Sequence, residues 1–74
     1  MGEHDRYLIE IFWSAEDEGF IATVPDLPGC SAWGATPEHA LREMQDAKAA
    51  WLEARHLAGE PLPEPTTPPH LAAG

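Results

Sequence analysis

The sequence predicts an α+β domain: a three-stranded antiparallel sheet with one helix packed across it, in the order β-β-β-α. Three observations carry this expectation. Two short runs rich in β-branched and aromatic residues, Tyr7–Trp13 and Phe20–Val24, flank a polar loop that ends in Gly19. A stiff turn, Pro25-Asp26-Leu27-Pro28-Gly29-Cys30, leads into a third short run that ends at Trp33-Gly34. Thr36-Pro37-Glu38 then opens a long segment of helix formers that stops at Gly59.

The first strand has two unlike faces. Tyr7, Ile9, Ile11 and Trp13 make an apolar set, while Leu8, Glu10, Phe12 and Ser14 make a mixed one. Period 2 sends the two sets to opposite sides of a sheet. One helix covers only one side, so the odd set is assigned to the helix and the mixed set to water or a partner. Ser14-Ala15-Glu16-Asp17-Glu18-Gly19 reads as an acidic hairpin loop into the second strand.

Pro25 lacks an N–H and ends that strand. Pro28-Gly29 suits the centre of a type II turn, because proline presets φ and glycine accepts positive φ. Leu27, the large apolar side chain between the prolines, is expected to plug the turn onto the core. A third strand around Cys30–Trp33 completes an antiparallel meander.

Thr36 is the expected N-cap, Pro37 fits the first helical position, and Glu38 lies near the positive end of the helix dipole. The helix is expected from Pro37 to about Ala58, with Gly59 as its stop. At 100° per residue Ala40, Leu41, Met44, Ala47, Trp51 and Ala58 share one arc, with Trp51 near its centre. Glu38, Arg42, Gln45, Asp46 and Glu53 fall on the far side. Lys48 and Arg55 also point within the apolar arc, either snorkelling along the rim, the favoured reading, or meeting carboxylates of another subunit.

From Glu60 the composition changes, with five prolines in ten residues, which excludes a helix or a central strand. The expected organisation is a domain over residues 1–59 and a Pro-rich tail over 60–74. Leu62 is a candidate to dock on the body, the last residues are expected to be mobile, and the Pro-x-x-Pro at Pro65–Pro68 lacks the flanking basic residue of an SH3-type ligand.

Seventy-four residues hold one domain with a thin core, and a single cysteine excludes an internal disulfide. Self-association or a protein partner is the remaining support, so a homo-oligomer, dimer or tetramer, is expected. The net charge is −9, from 13 acidic and 4 basic side chains. Four scattered cations make no phosphate track, which argues against direct nucleic-acid binding. An acidic surface suits a basic protein partner instead, or only keeps a small protein soluble, the favoured reading on composition alone. No apolar run is long enough for a membrane helix, and the polar N-terminus is unlike a signal peptide, so the cytoplasm is the expected compartment.

Constellations for chemistry are sparse. Cys30 reads as a small buried cysteine closing the turn rather than a nucleophile served by His4 or His39. His39 and Glu43 are spaced i, i+4 but lack further ligands at suggestive spacing, and His56 and His70 stand alone. Glu16, Asp17 and Glu18, with Asp26, lack the spacing of a calcium loop and read as a solvated hairpin tip or as an acidic patch facing a basic partner, the latter preferred over cation binding. No catalytic residue, cofactor or metal is expected. Of Trp13, Trp33 and Trp51, two can serve the core, and Trp33 is the candidate interface anchor.

Tyr7-Leu8-Ile9-Glu10-Ile11, Gly19-Phe20-Ile21-Ala22, Val24-Pro25-Asp26-Leu27-Pro28-Gly29-Cys30 and Gly34-Ala35-Thr36-Pro37-Glu38-His39-Ala40-Leu41 together closely resemble the HicB-like antitoxin family. His39 stands where the family usually has a second acidic residue. The resemblance spans about residues 7–65. It implies a partial RNase H-like fold, sometimes with a short extra C-terminal strand, and a non-enzymatic protein. It also implies oligomers and a small basic mRNA-cleaving toxin whose catalytic histidine surface is masked. Many family members carry a further DNA-binding domain; this sequence runs into a Pro-rich tail, so operator binding is not carried over, and the chain looks like a short stand-alone member.

The functional expectation is therefore an antitoxin-type binding module. Its candidate partner-binding residues are Glu10, Phe12, Glu16, Asp17, Glu18, Asp26 and Trp33. The alternative is an orphan homo-oligomeric scaffold or ligand-binding protein of the same fold with no toxin. An RNase H-like hydrolase is the third and weakest reading, since no carboxylate cluster can be placed at a two-metal site.

Overall fold

The computed structural model describes residues 6–65. Three strands, β1 (Glu10–Ser14), β2 (Gly19–Thr23) and β3 (Ser31–Gly34), form an antiparallel sheet in the order β1-β2-β3, and the helix α1 (Pro37–Leu57) packs across it. This is the expected β-β-β-α meander. Among the described residues there is no fourth strand.

β1 is shorter than its composition suggests. Its pairing with β2 begins at Glu10, opposite Thr23, and the partner chain then turns away at Pro25. Among the described residues, Tyr7, Leu8 and Ile9 lie outside the sheet ladder. Tyr7 is buried instead, and its hydroxyl donates to the carbonyl of Pro63.

Residues directly opposite across the ladder share a face. Ala22 is fully buried, so its neighbours Ile11 and Ala32 lie on the core side with it. Trp13, Phe20 and Gly34 follow on that same side. The odd set of β1 therefore faces the helix side, as the alternation predicts. The helix nevertheless stops short of the edge strand: Ile11 is 36% and Trp13 58% exposed. At Gly34 the helix packs tightly on the sheet, since a Cβ there would sit 2.1 Å from the Ala40 nitrogen.

The turn between β2 and β3 is built as expected. Leu27 N donates to Val24 O at 2.9 Å, and Cys30 N donates to Leu27 O at 3.0 Å, with Gly29 at φ +82°. That is a type II turn over Leu27–Cys30. Leu27 is fully buried, worth about 2 kcal/mol on transfer alone. Trp51 clamps the turn to the helix by donating Nε1–H to the Pro28 carbonyl at 3.1 Å.

The Thr36 hydroxyl accepts from His39 N at 3.0 Å, the N-cap geometry. His39 returns the favour one residue earlier, its Nδ1 accepting from Ala35 N at 3.0 Å. At the other end Gly59 has φ +76°, Gly59 N donates to His56 O and Glu60 N to Arg55 O, a Schellman stop.

The buried stripe of α1 is Ala40, Met44, Lys48 and Leu52, with Ala47 and Trp51 partly buried beside it. This corrects the arc drawn from the sequence. Leu41 and Ala58 are exposed, and Lys48 lies in the middle of the stripe at 1% exposure rather than snorkelling at the rim. Alanines occupy much of the helix surface, so the apolar pattern points weakly in any direction. The helix instead turns toward the sheet the row Ala40, Met44, Lys48 and Leu52. Lys48 takes part in an interaction there, and among the described residues no buried side-chain nitrogen or oxygen lacks a hydrogen-bond partner.

Arg55 does lie along the rim. Its guanidinium sits 5.1 Å from the Trp51 ring centroid, 3.4 Å from the Glu60 carboxylate and 3.4 Å from the Pro61 carbonyl. Together with Tyr7 at Pro63 it ties residues 60–65 to the body. Leu62 remains 42% exposed. His4, His70 and the expected mobile end lie outside the described residues, and the Pro65–Pro68 motif lies mostly outside them.

Candidate partner-binding site

The face of the sheet away from the helix is banded. Its first row, Glu10–Thr23–Ser31, is polar; its second, Phe12–Ile21–Trp33, is apolar; beyond them Ser14–Gly19 opens into the acidic loop. Phe12 is 50% and Trp33 44% exposed, with Ile21 half-buried between them. With strands about 4.8 Å apart, the apolar row spans roughly 10 Å.

The loop Ala15–Glu18 is held rather than loose. Glu18 N donates to Ala15 O at 3.3 Å, and Glu18 adopts φ +52°. The Ser14 hydroxyl donates to an Asp17 carboxylate oxygen at 2.8 Å and accepts from Asp17 N at 3.3 Å. Trp33 leans across Gly19 and donates its indole N–H to the Asp17 carbonyl at 3.1 Å. The acidic tip is thus fastened to the aromatic row by the tryptophan that belongs to both.

Six of the seven sequence-derived residues fall on this face or its rim: Glu10, Phe12, Trp33, Glu16, Asp17 and Glu18. Asp26 does not join them. It lies half-buried in the turn at the far end of β2, a strand length of roughly 16 Å from the acidic loop, and takes part in an interaction there. Among the described residues no group of three or more His, Cys, Asp or Glu is placed to hold a metal ion. Ile21 and Gly19 were not singled out from the sequence. Period 2 puts both on the outer face, but their place beneath Phe12 and Trp33 depends on strand register.

The other candidates resolve simply. Cys30 is buried with Sγ 3.8 Å from Met44 Sδ. Burial pushes its thiol pKa up, and the nearby Lys48 ammonium offsets part of this. His39 is taken up by Ala35, by Glu43 at 3.7 Å and by the edge of the Trp33 ring at 6.0 Å. The three tryptophans correct the core expectation: Trp13 is the most exposed, Trp33 is exposed, and Trp51 is half-buried. No helix among the described residues is long and apolar enough to cross a membrane.

Residues 7–73 match the model of the family described as the HicB-like antitoxin of bacterial toxin–antitoxin systems. The chain belongs to the HicB-like antitoxin family. The chain is 42% identical over 58 residues to a UPF0150 protein of Synechocystis sp., covering 78% of each chain. It is also similar to a chain in the solved structure of a HicA3 and HicB3 toxin–antitoxin complex. That match has 37% identity and a TM-score of 0.71, and it covers 88% of this chain and 73% of that one. The β-β-β-α architecture is thus that of a HicB-like antitoxin.

Proposed function

We propose that this chain binds and masks a small basic RNA-cleaving toxin through the open face of its sheet, without catalysis of its own. The observation that carries the proposal is the exposed Phe12–Ile21–Trp33 row lying between Glu10 on one side and the fastened Glu16-Asp17-Glu18 tip on the other. Aromatic side chains flanked by charge are the usual anatomy of a protein interface. The burial of Lys48 removes one of only four cations from the surface and sharpens its acidity. Kinship to a family of toxin–antitoxin systems, and to a chain solved in a toxin–antitoxin complex, supports the same reading.

In this mechanism the acidic rim steers the basic partner and sets its register, while the aromatic row supplies the desolvated contact that slows release. The test is reconstitution with the product of a basic, toxin-sized reading frame beside the gene. The expected result is a complex that protects RNA from that product and weakens as salt rises. Phe12→Ala should lower affinity by roughly tenfold or more, the loss of an aromatic anchor. Complex formation unaffected by Phe12→Ala and by Glu16→Lys/Glu18→Lys would overturn the assignment of the face. Absence of any complex at low salt would overturn the toxin reading in favour of an orphan self-associating protein.

A further inference from the structure

We infer that Trp33 serves the open face in a second way, as a positioning residue: its indole N–H holds the acidic tip in one geometry, from which Glu16 and Glu18 meet the partner. The inference rests on the reading that this face binds a basic protein.

The ring is committed before any partner arrives. Its Nε1–H donates to the Asp17 carbonyl at 3.1 Å, a bond between residues 16 positions apart. A Cβ on Gly19 would fall 2.5 Å from Cε2 and 2.7 Å from Cζ2, so the indole lies on bare backbone. The His39 ring meets it at 6.0 Å in a T-shaped arrangement, and the Ala35 amide in turn holds His39. A line of contacts thus runs from the start of α1 through β3 to the loop between β1 and β2.

The loop needs an outside tie. Ala15–Glu18 project beyond the last rung of the ladder, Ser14 opposite Gly19. Within the loop, Glu18 N reaches Ala15 O only at 3.3 Å, and Glu18 sits at φ +52°. A non-glycine residue stays in the left-handed region only where its surroundings hold it there. Ser14 holds Asp17 from inside the hairpin; Trp33 holds it from outside. The three carboxylates then divide their roles. Asp17 is turned inward, one carboxylate oxygen taking the Ser14 hydroxyl at 2.8 Å. Glu16 and Glu18, on either side of it, are exposed. A loose tip loses its freedom at the moment of binding; a tip already ordered does not, and binds more tightly for that reason.

The test joins backbone 15N relaxation of the free chain to a double-mutant cycle on its complex with the basic, toxin-sized product of the neighbouring reading frame. Two variants break the tie by different routes. Trp33→Phe keeps an aromatic ring but removes the donor. Gly19→Ala keeps the tryptophan but sets a Cβ 2.3 Å from Nε1, so the indole must move. In both, the order parameters of Glu16, Asp17 and Glu18 should fall from about 0.85 toward about 0.6, with those of the strands unchanged. Both should weaken the complex roughly two- to tenfold, the span of one hydrogen bond. Glu16→Gln/Glu18→Gln should cost less affinity in either variant than in wild type. Phe12→Ala, roughly 10 Å away across the sheet, should cost the same in all three chains within about twofold. A tip that stays ordered in both variants overturns the inference. So does additivity with Glu16→Gln/Glu18→Gln, which would leave Trp33 as a contact alone. If no complex forms, the toxin reading falls, and the relaxation measurement by itself decides whether Trp33 holds the tip.

Discussion

The Trp33 indole lies directly over Gly19, so close that a Cβ on Gly19 would fall 2.3 Å from Nε1 and 2.5 Å from Cε2. The absence of a side chain at Gly19 is what lets Trp33 lie flat on the open face and reach the Asp17 carbonyl.

Gly19 and Gly34 therefore make a contrasting pair. Gly19→Ala meets the end of a half-exposed side chain, which can swing aside at the cost of its hydrogen bond, about 1 kcal/mol. Gly34→Ala meets the backbone of Ala40 at 2.1 Å, and the whole helix start must move. Overpacking of that kind costs about 3 kcal/mol or more. Chemical denaturation should rank Gly34→Ala well below Gly19→Ala. Gly19→Ala should instead shift one indole N–H resonance. Equal stabilities would show that the helix does not rest on Gly34.

Gly29 and Glu18 both occupy the left-handed region, one at ease there and the other not. Gly29, at φ +82°, has nothing within 4 Å of where a Cβ would stand, so the penalty for a side chain is purely conformational. Gly29→Ala should cost about 1–2 kcal/mol, and Gly29→Val more, because a β-branched residue is worst placed there. Glu18 already carries such strain at φ +52°. Glu18→Gly should raise the melting temperature by about 4–8 °C if about 1 kcal/mol is relieved. An unchanged melting temperature for Gly29→Val would refute the type II turn.

What was legible in the sequence was local. The face alternation of β1, the proline-glycine turn, the Thr36 cap and the Gly59 stop each depend on a few neighbouring residues, and each is found in place. What was not legible depends on lateral position. Period 2 says that Ile11 and Trp13 share the core side, but not that β1 lies beyond the helix. The helical wheel puts Lys48 within the apolar arc but centres that arc on Trp51, because alanines blur it; the sheet decides which row it meets, and that row has Lys48 in its middle rather than at its rim. Phe12 and Trp33 stand out in the sequence as separate partner-binding candidates. That they form one row through Ile21 follows from register, and register also carries Asp26 to the opposite end.

Cys30 makes stability depend on alkaline pH. Its thiol is packed against Met44. Burial raises its pKa above the ordinary 9.0, and Lys48 offsets part of the rise. The folded chain therefore keeps the proton that the unfolded chain gives up near pH 9. The stabilising contribution is fully present below that pH and is lost as pH climbs toward the folded-state value. Over that window the loss is up to about 1.4 kcal/mol per pH unit. Cys30→Ala removes this titration. The unfolding free energy of wild type should thus fall more steeply than that of Cys30→Ala above pH 9, with the two running parallel between pH 7 and 8. Parallel curves through the alkaline range would mean that the thiolate is tolerated in the fold, with Lys48 compensating its burial in full.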